Sequence, residues 1–171
     1  MNKMIYSSSN TQARPAIELV KVSLTAALYV TVTLVLAVIS FGAIQVRLSE
    51  MFNYLALYHK RYVWGVTLGV VLANFLSPTW VLDVPIGGSA TFLTLLLCRA
   101  VTKRMENMVA KMVIMAITFT ISMFTIAIQL TILLDLPFFY TWMTVAAGEL
   151  LSMTIGGVII HMLSKKVDFS K

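Results

Sequence analysis

The chain has few charged residues and a single cysteine, and each shortage excludes a class of protein. Charged side chains make up 12% of the 171 residues, whereas about a quarter of a soluble domain is charged. So few charges leave little material for a soluble domain. The lone cysteine, Cys98, excludes a disulfide framework and a cysteine metal site, and we expect it to be a buried packing residue.

Motifs for energy conversion and for nucleic-acid binding are also missing. The sequence has no G-x-x-x-x-G-K-[ST] phosphate loop and no two-half repeat of the kind that many secondary transporters show. The net charge of +6 comes from Lys and Arg in ones and twos between apolar runs, without a basic patch that nucleic acid would require. We therefore expect no enzyme, no cofactor and no nucleic-acid partner.

Apolar residues dominate what remains. They make up 59% of the chain, and a spanning helix uses about 20 of them. The pattern predicts an all-α integral membrane protein with a polar tail at 1–16, a membrane domain at 17–164 and a basic tail at 165–171. The predicted helices cover 17–42, 48–58, 61–75, 86–101, 108–134 and 138–163.

The second of these helices is short, and the distribution of basic residues decides whether it crosses. Lys and Arg gather in cytoplasmic loops. With six crossings and both termini in the cytoplasm, Arg47 is the one basic residue outside. The inner ones are Lys3, Arg14, Lys21, Lys60, Arg61, Arg99, Lys103, Arg104, Lys111, Lys165, Lys166 and Lys171. We therefore predict six crossings, with the second one short and partly sheltered.

Small residues four apart mark faces on which helices approach closely in lipid. Three predicted helices carry such stripes. They are Ser23, Ala27 and Thr31; Gly65, Gly69 and Ala73; and Gly148, Ser152 and Gly156. Packing inside the bundle and docking of a partner both explain each stripe.

On this topology the polar residues collect in the outer half of the membrane. The candidate binding residues are Gln45, Arg47, Glu50, Asn53, Asn74, Asp83, Gln129 and Glu149. An acidic side chain at membrane depth costs at least about 2.5 kcal/mol, so it needs a partner. Glu149 is either a ligand-facing carboxylate or the structural partner of Arg47, and Glu50 is either a ligand contact or a solvated surface residue.

Two further segments have alternative interpretations. The Pro- and Gly-containing stretch 77–91 reads as a shaped loop, either a lid over an outward pocket or a connector anchored by aromatics. The run Gly87, Gly88, Ser89 matches a loose serine-protease pattern with His161 as base. The topology separates Ser89 and His161 by most of the bilayer, which excludes the contact of about 3 Å that a nucleophile needs.

Specific residues in this order resemble the QueT family. They are Gln45, Arg47, Ser49 and Glu50; Gly65, Gly69 and Asn74; Ser77, Pro78, Asp83, Gly87 and Thr91; and Gly148 with Glu149. The resemblance runs from the first helix to the end of the sixth. It implies a substrate-binding S component of an energy-coupling factor transporter in the bacterial plasma membrane, which takes up queuosine precursors with a transmembrane T component and two cytoplasmic ATPases.

The resemblance also implies roles for residues. Members tend to carry Ala-x-x-x-Ala on the first helix for the T component; the matching positions here are Ala27 and Thr31, so the second departs from the motif. The ligand would be a deazaguanine base, either without or with an aminomethyl arm, and the cation of such an arm would seek a second carboxylate. Its donors would meet Glu50, Asp83 and Glu149, and its acceptors and ring nitrogens Asn53, Asn74, Gln45 and Gln129. Its face would stack on Phe52, Tyr54 or Trp80. An S component for another vitamin or nucleobase, and a non-transport assembly protein, remain alternatives.

Overall fold

The structure is a computed structural model that describes residues 2–41 and 45–170, with side chains from Pro15 onwards. The described residues form helices and no strand, which confirms the all-α prediction. The elements are α1 (Asn2–Val35), α2 (Ala37–Ser40), a 3₁₀ helix (Leu48–Tyr54), α3 (Leu55–Tyr58), α4 (Arg61–Asn74), α5 (Trp80–Thr102), α6 (Met108–Ser122), α7 (Phe124–Leu134) and α8 (Phe138–Ser164).

Four stretches are long and apolar enough to cross a membrane. They are Pro15–Val35, Trp80–Thr102, Met108–Leu134 and Phe138–Ser164. The 14-residue α4 is about 21 Å long at 1.5 Å per residue, against an apolar core of about 30 Å. The six crossings and the cytoplasmic position of both termini therefore stay predictions.

Two predicted boundaries are wrong. α1 begins at Asn2 instead of residue 17 and ends at Val35, while the predicted end at Gly42 lies outside the described residues. α5 begins at Trp80, so most of the predicted loop 77–91 is helix and Pro85 lies inside it. Gly87 and Gly88 serve packing there: an added Cβ would lie 2.6 Å from Asn74 Nδ2 at the first and 2.8 Å from Val71 Cγ2 at the second.

The helices form a closed ring in which the short 3₁₀ helix is one member. α1 packs against α4, α4 against α5, α5 against α6, and both α6 and α7 against α8; the 3₁₀ helix fills the gap between α8 and α1. Glycines let two of these contacts form, because an added Cβ would lie 2.7 Å from Tyr29 Cβ at Gly69 and 2.4 Å from Met51 Cβ at Gly156. Cys98 is 1% exposed, which confirms its packing role.

Apolar side chains lie on the outside of the bundle and polar side chains lie inside it, as expected for a protein surrounded by lipid. Large apolar side chains cover the outside of the bundle, as Val38, Leu93 and Met143 do, whereas Asn53, Gln129, Glu149 and other polar side chains are buried inside it. Lipid cannot hydrogen-bond to a polar group, so such groups turn inwards. The interior of the bundle is therefore where a polar ligand can be held.

The end of the bundle formed by α3, the start of α4 and the chain after α8 is held by Arg61. Its guanidinium lies 2.6 Å from Glu18 Oε1 and donates to the Ser170 carbonyl at 3.2 Å. Arg61 Nε also donates to Nδ1 of His59 at 2.7 Å. Burial, followed by the positive charge of Arg61, lowers the pKa of His59, so this imidazole accepts as the neutral form. The chain at the start of the membrane domain and the C-terminal tail are thereby both fixed to α4.

Candidate ligand-binding site

A cavity of about 590 Å³ opens at the other end of the bundle. It lies where the chain passes from α2 to the 3₁₀ helix, from α4 to α5, and from α7 to α8. Its polar wall is formed by Gln45, Arg47, Glu50, Asn74, Ser77, Thr79, Asp83, Thr91, Ser122, Thr125, Thr141, Thr144 and Glu149. Six of the eight predicted binding residues thus line one cavity, and Asn53 and Gln129 do not.

Glu50 is held from both sides by neutral donors. Tyr29 Oη donates to Oε1 at 2.5 Å, and Asn53 Nδ2 donates to Oε2 at 2.5 Å. Side chains three apart eclipse each other in a 3₁₀ helix, which places Asn53 directly behind Glu50. Glu50 is 7% exposed, so its interpretation as a solvated surface residue is wrong. Asn53 is fully buried and supports the carboxylate instead of lining the cavity.

Asp83 is held in a similar way at the start of α5. Thr79 donates to its Oδ2 at 2.8 Å, and Ser77 donates to the same oxygen. Gln129 of α7 donates to Oδ1 from behind the cavity wall. The first turn of a helix also favours a negative charge. Asp83 therefore has donors on both oxygens and the field of α5 as well.

Arg47 has its partners on α4 and α8. Its guanidinium donates to Asn74 Oδ1 at 3.1 Å and lies 5.3 Å from the centre of the Phe41 ring, while its backbone N–H donates to Ser152 Oγ at 3.0 Å. The Asn74 amide in turn donates to the Asp83 carbonyl at 2.8 Å. No ion pair joins Arg47 to Glu149 within the described chain, so that predicted alternative for Glu149 is wrong.

Glu149 is the exception among the three carboxylates. It lies in the middle of α8, is 3% exposed and lines the cavity. None of the described residues donates a hydrogen bond to it, and its Oε1 is buried without a partner. A buried carboxylate without donors is expensive, because it has lost its water and gained nothing in return. A molecule that enters the cavity can supply the donor that the described residues do not.

The aromatic side chains predicted to stack on a ligand do not line the cavity. Phe52 packs against Tyr29, Tyr54 donates its hydroxyl to the Met153 carbonyl at 2.9 Å, and Trp80 packs against Phe75. The cavity is lined instead by Phe41, Phe119 and Tyr140. Sequence reasoning missed Phe119, although Ser122 and Thr125 follow it at spacings of three and mark a polar face on a long apolar helix.

That polar face lies where α6 gives way to α7. The predicted helix 108–134 is a single candidate span with an interruption at Met123. Ser122 Oγ donates to the Phe119 carbonyl at 2.7 Å, and Thr125 Oγ1 donates to the Ser122 carbonyl at 2.9 Å. Ser and Thr hydroxyls can satisfy backbone groups at such breaks. The break therefore opens the wall of the cavity without leaving these carbonyls unpaired.

The three small-residue stripes differ in where they face. Gly65, Gly69 and Gly156 contact neighbouring helices inside the bundle. The stripe on α1 is exposed at each of its positions, Ser23, Ala27 and Thr31, because Thr25 and Tyr29 on the opposite face make the contact with α4. Internal packing therefore explains two stripes and leaves the stripe on α1 facing outwards.

A serine-nucleophile site has no support in this geometry. Ser89 Oγ donates to the Pro85 carbonyl at 2.6 Å, one turn earlier in α5. His161 lies near the far end of α8, and no hydrogen bond between them occurs in the described residues.

Comparisons with known proteins agree with the membrane architecture. Residues 19–165 match the family model described as QueT transporter. A protein of Lactococcus lactis subsp. cremoris (strain MG1363), named queuosine precursor transporter QueT, is 41% identical over 163 residues, which cover 90% of this chain and 96% of that relative. No solved structure matches the chain. The chain therefore belongs to the QueT transporter family, as a multi-pass protein of the bacterial plasma membrane.

Proposed function

We propose that this chain is the substrate-binding S component of an energy-coupling factor transporter, and that it captures a queuosine precursor in the cavity lined by the 3₁₀ helix, α4, α5, α6, α7 and α8. The observation that carries the proposal is the polar cavity in an otherwise apolar bundle, with a buried carboxylate, Glu149, that accepts no hydrogen bond from the part of the chain that the structure describes. The name of the Lactococcus relative, queuosine precursor transporter QueT, supports a queuosine precursor as the ligand class.

The cavity suits a deazaguanine base. Its volume of about 590 Å³ lies within the range of roughly 300–1,000 Å³ that is common for small-molecule sites. Apolar side chains such as Val70 and Ile126 and the rings of Phe41, Phe119 and Tyr140 provide contacts for the face of a flat heterocycle. Asn74 and Gln45 provide amide groups for its carbonyl and ring nitrogens. The cavity faces the outside of the cell in the predicted topology.

The chain needs partners to move its ligand, because the sequence contains no ATPase phosphate loop. In the proposed complex a T component docks on the exposed stripe Ser23, Ala27 and Thr31 of α1, and two cytoplasmic ATPases supply the energy. Small residues on an exposed helix face allow a partner helix to approach closely in lipid.

Thermal stability of the detergent-purified protein tests ligand capture. A ligand that binds only the folded state raises stability by RT ln(1 + [L]/Kd), which is about 2.7 kcal/mol at a hundredfold excess over Kd. We expect one deazaguanine of a small panel to raise the melting temperature while guanine and thiamine leave it unchanged. A well-folded sample that responds to no deazaguanine refutes the assignment of the ligand.

Ala27→Trp tests docking. The indole fills the groove along the stripe, so co-purification with the T component should be lost while the thermal response to ligand is kept. Thr154→Trp is the matched control, because Thr154 is also a small exposed residue on a membrane helix, α8, but lies outside the stripe. Equal co-purification of both variants with the T component refutes docking on this face.

A further inference from the structure

The three carboxylates on the cavity wall have unequal hydrogen-bonding environments. Glu50 accepts from Tyr29 and Asn53, one donor on each oxygen. Asp83 accepts from Ser77, Thr79 and Gln129. These two carboxylates are fixed in place by the protein. Glu149 has no donor from the described residues, although it is buried at least as deeply as Glu50.

The charges on the wall do not balance. Three carboxylates and one guanidinium, Arg47, line the cavity, which gives an excess of two negative charges when all three carboxylates are ionised. The electrostatic field at the N-terminus of α5 and three hydrogen-bond donors stabilise a negative charge on Asp83. Arg47 can offset one of the two remaining negative charges, those of Glu50 and Glu149. Burial and the charge of Glu50 disfavour a negative charge on Glu149, and the charge of Arg47 favours it. A negative charge on Glu149 therefore needs a compensating cation that the described residues do not supply.

The shape of the Glu149 site favours a particular kind of donor. Its Oε1 is buried, so the carboxylate presents at most its other oxygen to the cavity. A guanine-like edge carries two adjacent N–H groups and needs both oxygens of one carboxylate. A primary ammonium is a compact point charge with rotatable donors and binds well to a single oxygen.

From these contacts we infer that Glu149 binds a primary ammonium group of the substrate and selects the cationic precursor over uncharged deazaguanines, while Glu50 and Asp83 shape the rest of the site. The inference rests on the proposed function, because it takes the deazaguanine base as the ligand. It assigns to one residue the discrimination between a base with an aminomethyl arm and the same base with a neutral nitrile arm.

Binding of these two bases to the purified chain, measured by calorimetry or by thermal shift, tests the inference. We expect the wild-type protein to bind the aminomethyl base about 30-fold more tightly, which corresponds to about 2 kcal/mol at 1.4 kcal/mol per tenfold. Glu149→Gln keeps the size of the side chain and removes its charge. The ratio of the two affinities should fall to about one, chiefly through loss of the aminomethyl base.

Three further variants separate selection from shaping. Glu50→Gln and Asp83→Asn should weaken the binding of both bases and leave the ratio of the two affinities unchanged. Asp135→Asn is the control for simple loss of charge: Asp135 adjoins the cavity-lining Leu134 and Leu136, does not line the cavity itself, and has a left-handed backbone that Asn accepts. It should change neither affinity.

The outcomes distinguish this inference from the proposed function. If the wild type binds both bases equally, or if Glu149→Gln keeps the ratio, the selective role of Glu149 is wrong and capture of a deazaguanine stands. If Glu50→Gln abolishes the ratio instead, the ammonium site belongs to Glu50. If the wild type binds neither base, both proposals fail. The wild-type comparison gives its answer even if Glu149→Gln does not fold.

Discussion

Two adjacent glycines of α8 allow the packing of the 3₁₀ helix to be tested by a matched pair of substitutions. A Cβ at position 156 would lie 2.4 Å from Met51 Cβ and 2.8 Å from Met51 Cα, so the backbone of the 3₁₀ helix must move. A Cβ at position 157 would lie 3.2 Å from Tyr54 Oη and 3.4 Å from two ring carbons, which a small movement of the ring relieves. Both changes replace Gly by Ala in the same turn of one helix.

The expected magnitudes follow from two opposing effects. Ala in place of Gly favours a helix by about 0.8–1.0 kcal/mol at either position. Overpacking typically costs about 1–3 kcal/mol, and more where backbone must move, so Gly156→Ala should be destabilised by about 1–2 kcal/mol or more. Gly157→Ala should be neutral or slightly stabilised. At about 2–4 °C per kcal/mol the two variants should differ by roughly 4–8 °C in melting temperature.

The same pair also tests how the packing supports the site. Met51 follows Glu50 in the chain, so a displaced 3₁₀ helix moves that carboxylate relative to the cavity. Gly156→Ala should therefore weaken ligand binding, and Gly157→Ala should not. The assay is thermal denaturation in detergent with and without ligand. Equal melting temperatures for the two variants would show that α8 and the 3₁₀ helix are not in the contact described.

Two further predictions concern hydrogen bonds. Tyr29→Phe removes a donor to the Glu50 carboxylate and should lower the free energy of unfolding by about 1.5–3 kcal/mol. Tyr54→Phe removes a hydrogen bond to a neutral carbonyl and should lower it by about 0.5–1.5 kcal/mol. Ligand affinity should fall only in Tyr29→Phe, and an equal loss of affinity in both variants would refute the role of Tyr29. The lowered pKa of His59 means that the unfolded chain takes up a proton before the folded one does. Stability should therefore be full above about pH 6.5 and fall as the pH drops below it, which thermal scans between about pH 7.5 and pH 5.5 would show. His59→Asn offers Arg61 an acceptor that does not titrate and should reduce this fall; an unchanged pH profile would assign it to other groups.

The fold was predictable where a single physical rule decides. Long apolar runs set the helices at 108–134 and 138–163, and the structure has α6 with α7 and α8 there. Asp135, two residues before Pro137, has a φ of 53° and is the left-handed residue that ends α7 before α8 begins. The start of α5 was missed because Pro85, Gly87 and Gly88 signal a loop in water. In a membrane bundle a proline near a helix start is tolerated, and glycines are retained for close packing.

The site was predictable in composition and much less so in orientation. Polar residues in an apolar chain must be inside, which was enough to collect the residues that line the cavity or support its wall. This rule could not show that Asn53 lies behind Glu50 or that Gln129 lies behind Asp83, because both amides are equally suited to contact a ligand. In the structure both amides donate to these carboxylates and occupy acceptor oxygens that the sequence analysis had assigned to a ligand. Donors contributed by distant parts of the chain, such as Tyr29 to Glu50, separate a structural carboxylate from a free one. Glu149 lacks such a donor, a difference that appears only after the helices have been packed together.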